Sequence, residues 1–336
     1  MYMCWLWEAA AVPTLVKRSV RTAYARLPRE RPGVVWGLVA ALLAGGAGGW
    51  MALPEGSGGG RLSAVVAGLD LPWPDEGQAA LAVERVGDLG AVGSRRAVPI
   101  ASLTKVMTAY VILKDHPLGD GQDGPPVEVD GQAAAEAYSP SESTAPVVEG
   151  QRLSQRKLLE LMLLPSANNV ARLLARWDAG SETKFVAKMN AAAARLGMTD
   201  TTYTGASGIE ATTRSTAADQ LKLAREAMKD PALRATVALR STAVPGRAEP
   251  VRNTNELLAR PGVVGLKTGS STPAGGNLVW AAEVPEGGKR RLVYGVVLGQ
   301  RAGTSPAEGR RAALESSGRL LDALREKLPA VLGRQA

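Results

Sequence analysis

The spacing of apolar positions along this chain changes several times, and each change predicts a different kind of element. From Val34 to Leu53 the sequence carries no charge, with Trp36 and Trp50 near its two ends. A run of about that length crosses a bilayer, and tryptophans suit the interfaces. Pro54 to Gly60 is a Gly/Ser-rich linker. Gln78 to Val86 alternates as a strand does, and Gly87-Asp88 and Gly93-Ser94 are turn signals, so a first hairpin is expected around Leu89 to Val92. The period then lengthens. Val106, Met107, Ala109, Tyr110, Ile112 and Leu113 fit a helix that opens at Ser102 and ends near Lys114. Gly119 to Pro126 reads as a loop, and 127–150 as short strands or irregular chain with Ser and Pro crowded at 139–146.

Helices are expected next over Ser154 to Leu164, Ala167 to Trp177, and Glu182 to Leu196, the last ended by Gly197. Thr216 with Asp219 has the spacing of a capping box for a helix to Met228, and Asp230-Pro231 opens a further short one. From Val263 the period returns to strands: Val263 to Thr268, Asn277 to Val284 and Arg291 to Leu298, with Gly287-Gly288 as the last turn. Ala307 to Leu328 closes the chain as a helix. Two leading strands, a helical middle and three trailing strands predict an α+β domain: an antiparallel five-stranded sheet joining both ends of the domain, flanked by helices. The expected organisation is a basic cytoplasmic segment (1–33), a transmembrane signal-anchor (34–53), a flexible linker (54–70) and one folded domain (71–328). A cleaved signal peptide and a buried core helix are the other readings of 34–53.

Composition narrows the chemistry. The 336 residues include one cysteine, Cys4, and one histidine, His116, so an intrachain disulfide and a Cys/His zinc site both lack partners. No metal site and no cofactor are expected. His116 lies in the breaker-rich run Lys114-Asp115-His116-Pro117-Leu118-Gly119-Asp120, a loop just past a helix end. A serine hydrolase built on this chain therefore uses lysine as its base. Part of the net charge of +8 comes from Lys17, Arg18, Arg21, Arg26, Arg29 and Arg31. That cluster, ahead of the apolar run, orients the anchor with its N-terminus in the cytoplasm and the domain outside. No basic groove with interleaved aromatics stands out elsewhere, so nucleic acid is not an expected partner.

Three short motifs carry candidate chemistry. Ser102 and Lys105 are three apart, which makes them neighbours on one helical face, near its positive end. They read either as a nucleophile with its base or as a cap serine beside a surface lysine. Pro165-Ser166-Ala167-Asn168 stands at a helix junction, where Ser166 is also a reasonable cap. Lys267-Thr268-Gly269 lies on a strand, where a bare glycine lets another chain lie close to the backbone.

In this order, Ser-x-x-Lys, Ser-x-Asn and Lys-Thr-Gly form the signature of penicillin-recognising serine enzymes. Pro99 to Ala109, Leu161 to Asn168, Leu196 to Ile209, Asn253 to Leu258 and Gly265 to Ser270 resemble one branch, the serine-type D-alanyl-D-alanine carboxypeptidases or low-molecular-mass penicillin-binding proteins (peptidase family S11). The resemblance spans about residues 78–325 and implies a β-lactamase/transpeptidase-like fold with a helical subdomain. It implies Ser102 as nucleophile, Lys105 as base, Ser166 as proton relay, and Asn168 holding Lys105 and a substrate amide. Lys267 and Thr268 would take the substrate carboxylate, with Gly269 leaving room on the strand, and the N–H groups of Ser102 and Ser270 would form an oxyanion hole. Arg301, Arg310 and Arg311 are candidates for a further carboxylate contact. Implied partners are peptidoglycan stem peptides, with β-lactams as covalent inhibitors, at the outer face of a bacterial cell membrane. The chain departs from the pattern at Ala167 (usually Gly), Asn169 (often Asp) and Thr213-Arg214-Ser215 (where a histidine is common). The β-rich second domain and C-terminal anchor of many members are not expected, the N-terminal anchor replacing that tether. Two alternatives remain: a β-lactamase, which needs a glutamate such as Glu182 or Glu210 to activate water, and a non-catalytic wall-binding protein on the same scaffold.

Overall fold

The computed structural model describes residues 69–332 apart from Gly287. The chain divides into two units, Met1–Pro54 and Glu55–Ala336, and all described residues belong to the second. The expected cytoplasmic segment and membrane span lie outside the described residues. Among those described, no helix is long and apolar enough to cross a membrane.

Five strands form one antiparallel sheet: β1 (Gln78–Val83), β2 (Gly87–Gly93), β3 (Val263–Ser271), β4 (Gly275–Glu286) and β5 (Lys289–Gln300), in the order β2-β1-β5-β4-β3. The two ends of the domain meet as expected, with β1 against β5 in a register that places Gln78 opposite Leu298 and Val83 opposite Val293. The hairpin differs from expectation. Its turn falls at 84–86, where Arg85 takes a left-handed φ of 61°, and Gly87 is already the first residue of β2. β1 is buried along its whole length rather than on alternate residues. Both sheet faces are covered, so alternation sorts residues between two cores instead of between core and water. Ala80 and Ala82 face the helical layer, with Val279, Ala281, Tyr294 and Val296. Ala79, Leu81 and Val83 face the opposite layer, with Leu278, Trp280, Val293 and Val297.

The helices are α1 (Thr104–Asp115), α2 (Gly131–Glu136), α3 (Gln155–Leu163), α4 (Asn168–Ala179), α5 (Glu182–Arg195), α6 (Ala217–Ala227), α7 (Pro231–Ala238) and α8 (Pro306–Leu332). α8 covers the second face, where Leu320, Leu321, Leu324 and Leu328 are buried against the sheet. Trp280 fills this layer over Gly295; a Cβ there would come within 2.1 Å of the indole ring. Leu71, where the folded domain is expected to start, is buried in the same cluster, with Leu69 and Trp73 packed against it.

The other helices form the subdomain, and their caps follow the sequence signals. Ser154 accepts from Lys157 N, Thr216 from Asp219 N, and Asp230 from Leu233 N with Pro231 at the first helical position. The capping box is half made: the Asp219 carboxylate turns away to accept from Asp200 N and Thr201 Oγ1. α2 is an addition to the expected elements. Asp130 caps it through Ala133 N at 2.7 Å and is gripped by Arg176 of α4 through both carboxylate oxygens. α1 runs through the middle of the subdomain with most of its residues buried, Lys105 among them.

Candidate active site

Three segments converge at the start of α1. A 3₁₀ turn, Ala101–Leu103, precedes the helix, so Ser102 sits in that turn rather than capping α1 as expected. Ala101 has a φ of 47°, an uncommon conformation for a residue with a Cβ, and Thr104 Oγ1 donates back to Ala101 O at 2.8 Å. The turn keeps Ser102 and Lys105 on one face: Lys105 Nζ lies 2.9 Å from Ser102 Oγ.

Lys105 is fully buried. Its other two partners are Asn168 Oδ1 at 2.6 Å and the Ser207 carbonyl at 2.8 Å. Neither of these oxygens can donate. The carbonyl has no hydrogen, and the Asn168 amide is oriented by its Nδ2, which donates to Glu142 Oε2 at 2.9 Å. A neutral amine has two hydrogens and one lone pair. Two acceptors take the hydrogens, and the lone pair is left for the Ser102 hydroxyl proton. Charge favours that form as well. Burial, then the Lys267 and Arg172 charges, hold Lys105 well below the ordinary lysine value, against an opposing pull from Glu142 and Glu210.

β3 is an edge strand, and it runs against the Ser102 turn. A Cβ on Gly269 would come within 2.8 Å of Ile100 O, 2.9 Å of Leu103 N and 3.0 Å of Ser102 N. Glycine lets the strand approach the Ser102 backbone. Lys267 is 1% exposed, and Nζ donates to Thr268 O at 3.0 Å. Burial first, and the Arg310 guanidinium second, lower it to about 7. Thr268 Oγ1 is 2.6 Å from Thr254 Oγ1, and Thr254 is tied through its N–H to Leu164 O, just ahead of the second motif. Ser270 is half-buried near the end of β3, opposite Gly276 of β4.

Ser166 falls between α3 and α4 with a φ of 70°. Its Oγ is buried without a hydrogen-bond partner. A strained residue with an unpaired hydroxyl at such a junction is the kind of feature that accompanies function. His116 follows α1 as expected, paired with Asp178 at 3.0 Å and stacked on Trp177, and takes no part in this cluster.

Several participants were not read from the motifs. The Ser207 carbonyl is a backbone group, which no side-chain pattern announces; the Ser207-Gly208 turn was its only signal. Glu142 and Arg172 support Asn168 from a loop and from α4. Of the three candidate arginines, Arg310 is the one whose charge acts on Lys267, whereas Arg301 pairs with Glu76. Arg310 and Thr254 also line a cleft of about 670 Å³ with Arg240, Arg252, Asn253 and Asn255. Neither carboxylate that a β-lactamase reading needs hydrogen-bonds Ser102, Lys105 or Asn168. Glu182 accepts from Ala206 N. Glu210 has a buried, unpartnered Oε2, and burial pushes its carboxyl up, with Glu182 adding to the effect. No group of three or more His, Cys, Asp or Glu side chains is placed to hold a metal ion among the described residues.

The sheet, the helical subdomain and a serine held against a buried lysine make the arrangement of a serine hydrolase, with His116 outside the cluster. The chain belongs to the D-alanyl-D-alanine carboxypeptidase family, peptidase family S11, whose sequence profile matches residues 89–302. It is similar to D-alanyl-D-alanine carboxypeptidase DacB2 of Mycobacterium tuberculosis, 33% identical over 60% of this chain and 67% of that protein. It is also similar to a D-alanyl-D-alanine endopeptidase of Pseudomonas aeruginosa, 36% identical over 54% of this chain and 58% of that protein. Among solved structures, penicillin binding protein 6B of Escherichia coli matches with a TM-score of 0.63 and 30% identity, over 74% of this chain and 78% of that one.

Proposed function

We propose that this protein is a serine D-alanyl-D-alanine carboxypeptidase that trims peptidoglycan stem peptides and is acylated by penicillins. The observation that carries the reading is the set of Lys105 contacts: one serine hydroxyl and two oxygens that only accept. Ser102 Oγ attacks the carbonyl carbon of the penultimate D-alanine as its proton passes to Lys105. The peptide C–N bond breaks, and the proton is delivered to the leaving amine, with Ser166 as relay. The ester on Ser102 is then cleaved by water, which regenerates the hydroxyl. Asn168 orients Lys105 and a substrate amide. The N–H groups of Ser102 and Ser270 receive the developing oxyanion; loss of one such donor typically costs about a hundredfold or more. Lys267, Thr268 and Arg310 take the terminal carboxylate.

The cleft beside Arg310 favours a second reading. In a cross-linked peptide the leaving amine carries a second stem, and a cleft adjoining the carboxylate site gives it space, a property that fits the resemblance to an endopeptidase. The uncharged run 34–53 behind a basic segment supports an anchor that places the domain outside a bacterial cell membrane. D-alanine release from a diacetyl-Lys-D-Ala-D-Ala peptide tests the main reading. Release is expected with the native chain and loss of it with Ser102→Ala. No release from a chain that still binds wall fragments would instead indicate a binding protein, and rapid penicillin hydrolysis a β-lactamase.

A further inference from the structure

The amide of Asn168 links the base to a loop that carries none of the three motifs. Its Oδ1 meets Lys105 and its Nδ2 meets Glu142. An amide can present either end to either side, but a carboxylate only accepts. Glu142 therefore decides which end of Asn168 faces Lys105. The carboxylate is itself held: Arg172 Nη2 donates to Glu142 Oε2 at 2.9 Å, and Arg172 Nε donates to Glu136 at 2.8 Å. The loop is fixed to α4 by Asn168 N donating to Ser143 O at 2.8 Å. Burial, the largest influence on Glu142, pushes its carboxyl up, but hydrogen bonds from Asn168 and Arg172 outweigh it and keep the group ionised.

We propose that Glu142 is a positioning residue for acylation: it fixes the Asn168 amide so that Oδ1 faces Lys105, and it sets a negative charge beside the base. The charged groups acting on Lys105 are Lys267 of β3, Arg172 of α4, Glu142 of the loop and Glu210 beyond Ser207. Two cations favour the neutral amine, and the two carboxylates favour the ammonium. Glu142 thus trades part of the neutral fraction of Lys105 for its orientation. The inference rests on Ser102 and Lys105 being nucleophile and base.

The test is the pH dependence of labelling of the full chain by a fluorescent penicillin. The acid limb reports the protonation of the base in the free enzyme. Glu142→Gln keeps an oxygen for Asn168 Nδ2 and removes the charge. Its acid limb is expected to move to lower pH by about half a unit or more, read as roughly threefold faster relative labelling on the acid side. Glu142→Asp keeps the charge but draws the carboxylate back from Asn168. Its limb is expected to stay while the maximal rate falls several-fold, which gives a second test at the same position. Limbs that coincide in the native chain and Glu142→Gln would overturn the proposal, whatever happens to the maximal rate. So would a Glu142→Asp chain with full rate and a displaced limb. If Ser102→Ala still labels, the nucleophile assignment fails instead.

Discussion

Two buried lysines within one site are costly for the fold and useful for the chemistry. Lys267 is lowered to about 7, while in the unfolded chain it titrates near the ordinary lysine value of about 10.4. Between those limits the unfolded chain holds a proton that the native chain lacks, so stability rises with pH across this window and is lost as pH falls through 7. Lys105, lowered in the same direction, adds to the trend. Lys267→Met is expected to melt higher than the native chain near pH 7 and to gain less on going to about pH 9.5. Removing that charge also relieves Lys105, so the acid limb of any residual acylation moves to higher pH. Thermal melts at the two pH values check the first statement, and an unchanged pH dependence of melting would contradict it.

At the scale of elements, the close approach of β3 to the Ser102 turn is what assembles the site. Gly269→Ala would push backbone against backbone at Ile100 O, Leu103 N and Ser102 N, none of which can rotate aside. A displacement on the order of 1 Å at a reacting group costs roughly a hundredfold in rate, so penicillin labelling is expected to slow by about that factor in a chain that remains folded. Stopped-flow labelling measures it; a rate within twofold of native would show that the strand does not set the geometry. The site was legible where chemistry is local in sequence. Ser102 and Lys105 are one turn apart, and the other two motifs are short. It was illegible where the partner is a backbone carbonyl, as at Ser207, or a loop carboxylate, as at Glu142. Capped helices were readable to within a residue or two because Ser154, Thr216 and Asp230 bond where their types predict. α2 was not, because six residues, Gly-Gln-Ala-Ala-Ala-Glu, give too short a period to read.

At the scale of the molecule, the sheet joins residues far apart in the chain and holds them between two cores. Its trailing strands were plain from the change of period at Val263. The first hairpin was misplaced because Arg85, not a glycine, adopts the left-handed turn conformation. β1 is buried on both faces, which the alternation of Gln78 to Val86 does not reveal. This packing fixes both walls of the site: α1 lies in the subdomain core, and β3 hangs at the free edge of a sheet braced by α8. The central claim is that this frame makes Ser102 a nucleophile with Lys105 as its base. The most direct measurement is covalent labelling of the full chain by a fluorescent penicillin, followed by mapping of the modified peptide. One adduct per chain on Ser102, absent from Ser102→Ala and strongly slowed in Lys105→Met, is the expected result. Labelling of Ser102→Ala at the native rate, or an adduct on another residue, would contradict it.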